Sequence, residues 1–302
     1  MSVGAGGRIG WLGVGKLGLP MAARIKVAGH EIAVCDISPE RQEAARARGL
    51  DVVASPAEAV TGARAVFTSL PNDNAMLTAL TGEGGLISVM PADAILVETS
   101  TVSPEASAEV AQAAAARGLA YLRAPVSGNP VLVEAGTASV FVSGPRAAFD
   151  EVEPVIAAFT RARAWLGEAE QARYAKLAIN LMIAVSSGML AEAMLLAEKG
   201  GISRKDFLDV ACDSAVGSPF VKYKAPPLVE DDYTSTFTCV QMIKDIDLIL
   251  GAAQGVGVPA PLTALMRQSY SSLVSLGHAE DDFIATVKLA ELLSGVEGPQ
   301  KG

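Results

Sequence analysis

The chain has 302 residues, enough for two domains and a sizeable core. Half of its residues are hydrophobic, but alanine supplies much of that share, so a positive mean hydropathy does not imply a membrane protein. A net charge of −9 argues against nucleic acid or an anionic membrane as the main partner.

Three cysteines, Cys35, Cys212 and Cys239, are scattered without any CxxC spacing. They suggest neither a disulfide framework nor a zinc site, and they suit a reducing cytosol, so a cytoplasmic location is expected. The opening MSVGAGG has neither a basic n-region nor an apolar h-region, so no secretory signal is visible. Only two histidines occur, His30 and His278. No metal site is expected, and acid/base work falls to Lys, Asp, Glu or Tyr.

Along the chain, short β-like runs alternate with helical patterns, the signature of a parallel α/β sheet. Strands are expected at 8–12, 31–35, 65–70, 94–98, 120–123, 139–142 and 162–166. Helices are expected from the first glycine turn to 27, and at 39–49, 104–117 and 147–159. Beyond about residue 167 nearly everything reads helical, so the domains are read as 1–167 and 168–302, two halves joined rigidly by a shared helix. There is no internal repeat, and the closing EGPQKG is expected to fray.

The first strand runs into Gly13-Val14-Gly15-Lys16-Leu17-Gly18, a G-x-G-x-x-G turn ahead of a helix. The first glycine permits the tight turn, the second lets the backbone approach a pyrophosphate, and the third lets helix and strand pack closely. The helix N-terminus offers unpaired N–H groups and a positive dipole end to phosphates. Asp36 closes the second strand, where a carboxylate accepts from the adenosine ribose hydroxyls. It is followed by Ile37, not by an arginine, which favours NAD over NADP; Arg41 keeps NADP open. The plainer reading is that Asp36 only caps the turn before Ser38-Pro39.

The stretch 170–199 holds no proline, is dominated by Ala, Leu and Met and predicts a helix covered on all sides. Two strongly polar side chains, Lys176 and Asn180, stand one turn apart on it. A bilayer span competes with this reading, but Asn180, the serines and Glu192 interrupt the run and interfacial anchors are absent. A core helix whose lysine snorkels to water also competes.

Three further stretches complete the pattern: Glu98-Thr-Ser-Thr-Val-Ser-Pro104 and Ala124-Pro-Val-Ser-Gly-Asn-Pro130, each between a strand and a helix, and Lys244-Asp245 within a helical run at 237–250. Together with LGVGKLGLPMAARI, Lys176-Leu-Ala-Ile-Asn180 and Gly277-His-Ala-Glu-Asp-Asp-Phe283, the set resembles the β-hydroxyacid dehydrogenase family, which includes 3-hydroxyisobutyrate dehydrogenase and tartronate semialdehyde reductase. The resemblance runs from about Arg8 to Leu293 with the motifs in order. It implies an N-terminal Rossmann domain, a doubly wound α/β sheet, and then an all-helical domain that forms homodimers or homotetramers. The turn Gly13–Gly18 would hold the cofactor pyrophosphate and Thr101 would reach its nicotinamide end. Ser127, Gly128 and Asn129 would bind the substrate carboxylate. Lys176 would be the catalytic residue, Asn180 an orienting amide, and Lys244 a contact to cofactor or substrate.

The chain departs from the family where Asp-Ala-Pro-Val-Ser-Gly-Gly becomes Arg123-Ala-Pro-Val-Ser-Gly-Asn129, then Pro130. Arg123 reads as a solvated strand-end arginine, with a second anion-binding role as the alternative. The expected reaction is reversible oxidation of a small 3-hydroxy acid to its semialdehyde. Lys176 would exchange the proton, its pKa lowered by burial and by Lys244 as a second cation. Imine reduction on the same architecture and a non-catalytic binding module are the rival readings. Phe237, Met242 and Tyr174 are pocket-lining or core residues.

Overall fold

A computed structural model describes residues 7–296. The closing EGPQKG and most of the opening MSVGAGG, both read above, lie outside the described residues. The chain divides into two compact units between Lys176 and Leu177.

The first unit is built on six parallel strands: β1 Ile9–Leu12, β2 Ile32–Cys35, β3 Asp51–Val52, β4 Ala65–Thr68, β5 Ile95–Glu98 and β6 Ala120–Arg123, in the order β3-β2-β1-β4-β5-β6. β1, β2, β4 and β5 are buried at every position, which explains why they read as continuous apolar runs instead of alternating ones. One apolar cluster includes Trp11, Met21 and Ile25, a second includes Met76, Leu80 and Tyr121, and Trp11 stacks on Phe67 at 5.4 Å within the first. Strand order reverses between β1 and β4, and in such sheets the crevice beyond the strand ends at the reversal is where ligands bind.

The expected strands at 139–142 and 162–166 belong to a second sheet instead of extending the first. There β7 Val126–Ser127 pairs antiparallel with β8 Ala138–Val142, and β8 pairs parallel with β9 Thr160–Trp165. Pro125 ends the β6 ladder, and the chain turns into a two-residue strand too short to carry a periodic signal. β3 and the short helices Pro56–Val60 and Leu86–Val89 had no expectation for the same reason, and the helix Asp73–Thr81 was not expected either.

The second unit is helical: Arg204–Asp213, Pro219–Val229, Cys239–Gly255, Pro261–Ser275 and Thr286–Leu293, with one 3₁₀ turn at Phe283–Ala285. The Thr238 hydroxyl accepts from Gln241 N–H while the Gln241 side chain accepts from Thr238 N–H, so a capping box starts the helix that carries Lys244. A buried ion pair, Lys224 to Asp282 at 2.6 Å, ties the closing Asp-Asp-Phe segment to the helix Pro219–Val229.

The long helix is Gln171–Lys199, and the division between the units falls inside it. It is long and apolar enough to cross a membrane by length and composition. The expectation of a helix covered on all sides fails for the single chain: Met182 is 62% exposed, Met189 51% and Leu196 76%. These residues recur every seven positions, so they form one apolar stripe along the helix.

Candidate active site

The glycine turn has the geometry of a phosphate cradle. Gly13 sits at φ +90°, and a Cβ there would stand 2.3 Å from the Ser69 carbonyl oxygen. A Cβ on Gly18 would stand 2.1 Å from the Gly13 oxygen, so that glycine lets the helix start lie directly against the turn. Gly15 differs: its nearest neighbour would be Arg41 Nη1 at 3.8 Å, leaving the middle of the turn open to an approaching group. The helix Gly18–Val27 begins at Leu17 with no side-chain cap, so its first N–H groups have no side-chain acceptor. These features fit a dinucleotide pyrophosphate over Gly13, Val14, Gly15, Lys16, Leu17 and Gly18.

Asp36 is buried at the end of β2 and organises the turn itself. Its Oδ2 accepts the Val14 N–H at 2.8 Å and its Oδ1 the Ser38 N–H at 2.9 Å. The plainer turn-capping role is therefore present, and lone pairs remain on each oxygen for ribose hydroxyls. Arg41 lies 3.9 Å from Oδ2, and Ile37 beside it is 97% exposed.

Past β5, the loop bearing Thr101 is strapped down by its neighbours. Thr99 Oγ1 donates to the Thr68 carbonyl at 2.7 Å, Ser100 Oγ accepts from Leu70 N–H at 2.7 Å, and Ser103 caps the helix Pro104–Ala116. Thr101 itself is half-buried. After β6, Ser127 lies in β7 opposite Ser139, Gly128 takes φ +153°, and Asn129 caps the helix Pro130–Glu134 by accepting from Leu132 N–H at 3.0 Å. The Asn129 carbonyl oxygen is thus already committed to a cap; its NH₂ and the backbone are what remain for an anion.

Arg123 is not the solvated arginine expected from the sequence. It is 6% exposed, its Nε donates to Glu170 Oε1 at 2.9 Å, and its guanidinium lies over the Tyr121 ring. Glu98 and Arg173 form a second pair, wholly buried, that sequence reasoning missed. Burial pulls the Arg173 guanidinium down, and Tyr121 and Glu98 beside it outweigh that, so it is held above its ordinary range. The available signal was a charged residue one turn ahead of Lys176 in an otherwise apolar helix.

Lys176 and Asn180 are both buried, one turn apart on the helix Gln171–Lys199. The Asn180 amide donates to Asp245 Oδ2 at 2.6 Å, and Asp245 Oδ1 pairs with Lys244 at 2.7 Å. Asp245, quoted in the sequence beside Lys244 but given no role there, therefore joins two of the expected residues and fixes which way the Asn180 amide faces. Met242 is a core residue, Phe237 packs edge-on to Phe283, and Tyr174 is 37% exposed. Among the described residues no three His, Cys, Asp or Glu side chains cluster as metal ligands.

Residues 8–167 match the family model described as the NAD binding domain of 6-phosphogluconate dehydrogenase. Residues 171–290 match the NAD-binding domain of NADP-dependent 3-hydroxyisobutyrate dehydrogenase. The chain is 32% identical to a 3-hydroxyisobutyrate dehydrogenase of Pseudomonas aeruginosa, over 93% of this chain and 97% of that one. It superimposes on Mycobacterium tuberculosis 3-hydroxyisobutyrate dehydrogenase, solved with L-serine, with a TM-score of 0.86 and 29% identity, over 94% of this chain and 99% of the other. An imine reductase from Pseudomonas sp. shares the fold at a TM-score of 0.62 and 18% identity, over 94% and 99% of the two chains. The chain belongs to the 3-hydroxyisobutyrate dehydrogenase family, NAD(P)-dependent oxidoreductases that act on the hydroxyl groups of hydroxy acids.

Proposed function

We propose that this enzyme reversibly oxidises a small 3-hydroxy acid to its semialdehyde, with Lys176 as the proton-transferring residue. The observation that carries this reading is a buried lysine one turn from Asn180, whose amide is held in one orientation by Asp245. When bound, the nicotinamide supplies the hydride chemistry. The backbone of Gly13–Gly18 holds the pyrophosphate and Asp36 the ribose, and Thr101 serves the nicotinamide end. Ser127, Gly128 and Asn129 hold the substrate carboxylate in a small anion nest. In oxidation Lys176 accepts the hydroxyl proton; in reduction its ammonium returns one and stabilises negative charge growing on the carbonyl oxygen. Asn180 orients the reacting oxygen. Lys244, paired with Asp245, braces the Asn180 amide through that carboxylate and does not act as an isolated second cation.

NAD is favoured over NADP, because Asp36 sets a buried negative charge where a ribose 2′-phosphate would approach. We take 1–167 as the nucleotide-binding domain and 168–302 as the substrate and assembly domain. The exposed stripe Met182, Met189, Leu196 supports a homodimer or homotetramer, and three free cysteines support a cytoplasmic location. Imine reduction is disfavoured because Lys176 and the Pro125-Val-Ser-Gly128 loop are intact, and so is a non-catalytic module. The test is a panel of small hydroxy acids and semialdehydes assayed with both nucleotides by nicotinamide absorbance. Lys176→Ala should lose at least about 100-fold in kcat while still binding NADH. Near-normal turnover in that variant would refute the assignment.

A further inference from the structure

Two ion pairs, one wholly buried and one partly buried, converge where the long helix begins. Glu98 and Arg123 close the adjacent strands β5 and β6 and are register partners. Glu170 immediately precedes the helix and Arg173 lies in its first turn. The pairing crosses over: Arg123 binds Glu170, and Arg173 binds Glu98. Acid and base thus alternate around the node, and Tyr121 lies between the pairs. Its ring lies under the Arg123 guanidinium and its hydroxyl accepts from Arg173 Nη2 at 3.0 Å.

The Arg173 fork is closely satisfied. Besides Glu98 and Tyr121, Nη1 donates to the Ser100 carbonyl at 2.7 Å and Nε to Ser107 Oγ at 3.1 Å. Glu98 Oε1 in turn accepts the Ser100 N–H at 2.9 Å. Ser100 is therefore held at both its N–H and its carbonyl by one ion pair, and the next residue is Thr101. On the helix, Arg173 stands at i−3 from Lys176, so the two share a face one turn apart. Burying an ion pair is a weak way to gain stability compared with packing apolar groups, so a fork satisfied this fully fixes geometry more than it stabilises.

We propose that Arg173 is a positioning residue for the reaction: clamped between Glu98 and the Ser100 carbonyl, it sets the position of Lys176 relative to the Thr101 loop. This rests on Lys176 exchanging the proton and Thr101 serving the nicotinamide end. Arg173 touches neither substrate nor cofactor in this role; it acts through the helix turn and the loop it joins.

The test is Arg173→Lys, which keeps a cation against Glu98 and removes the planar fork. The binding of NADH by fluorescence titration should stay within about threefold of the parent, while kcat per nucleotide-binding site falls about 100-fold, since small misplacements of a reacting group cost that much. The alkaline limb of the kcat–pH profile should also move, because the surroundings of the proton-transferring group change. A purely structural role would lower the melting temperature and leave kcat per binding site and the pH limb in place; that result overturns the proposal. Where Arg173→Lys does not fold, Tyr121→Phe decides, since it leaves both ion pairs charged and intact. It should lower kcat about 3- to 10-fold with NADH binding held, and unchanged kcat overturns the proposal. A parent enzyme inert on every hydroxy acid of the panel would remove the reaction itself, whereas an active parent with an unaffected variant removes only the positioning role.

Discussion

Gly15 and Gly18 belong to the same six-residue turn, yet the structure assigns them opposite vulnerabilities. An alanine at 18 would put its Cβ 2.1 Å from the Gly13 carbonyl oxygen and 3.2 Å from Ser69 Cβ. Relieving the first contact requires roughly 1 Å of backbone movement, an overpacking strain on the order of 1–3 kcal/mol. Gly18→Ala should therefore lower the thermal midpoint by several degrees. An alanine at 15 would meet nothing nearer than the flexible Arg41 guanidinium at 3.8 Å, and its φ is not positive. It should leave the midpoint unchanged or raise it slightly, because alanine restricts the unfolded chain more than glycine does. Its Cβ would, however, occupy the path by which the pyrophosphate reaches the backbone. Losing one hydrogen bond to a charged group, about 1.5–3 kcal/mol, weakens binding about 10- to 150-fold. Titration with NADH, followed by fluorescence, reads the second effect, and differential scanning calorimetry reads the first. Gly15→Ala binding NADH within twofold of the parent would refute the cradle. Gly15→Ala destabilised as much as Gly18→Ala would refute the steric distinction.

Asp36→Ala should weaken NADH binding and narrow the preference for NAD over NADP at least about tenfold, since Arg41 is then left without its carboxylate neighbour; parallel titrations with both nucleotides measure it. Asp281 supplies a pH dependence. Burial raises its carboxyl, but the hydrogen bonds from Lys288 and His278 outweigh that and hold it below the ordinary 3.8. A carboxyl depressed in the folded state stabilises fully above its unfolded pKa, and that contribution is lost as pH falls through the folded value. Lys288→Met should thus flatten the acid limb of the melting temperature below the ordinary carboxylate pKa of 3.8 while leaving the slope at neutral pH unchanged.

Local patterns made much of this protein legible. The apolar runs of β1, β2, β4 and β5, the glycine turn and the acid closing β2 are each dictated by neighbours a few residues away. A strand buried on both faces is mostly apolar, and a turn meeting a pyrophosphate keeps glycine where its backbone must approach closely. The same holds for Lys176 and Asn180, whose spacing on one helix is enough to put them on a common face. The short β3 and β7 escaped because two residues carry no period.

What only the folded chain decides is pairing across large sequence separations. Arg123 read as a solvated strand end because its partner, Glu170, is 47 positions away. Nothing near Arg173 identifies Glu98, 75 positions earlier, and nothing near Asn180 identifies Asp245, 65 positions later. Whether a charged side chain faces water or an opposite charge depends on which strand ends and helix turns the sheet brings side by side. Sequence alone therefore determined the glycine turn and the long helix that carries Lys176 and Asn180, and the tertiary structure determined which buried charges hold them in place, because desolvating an ion is tolerable only where folding delivers its counter-charge.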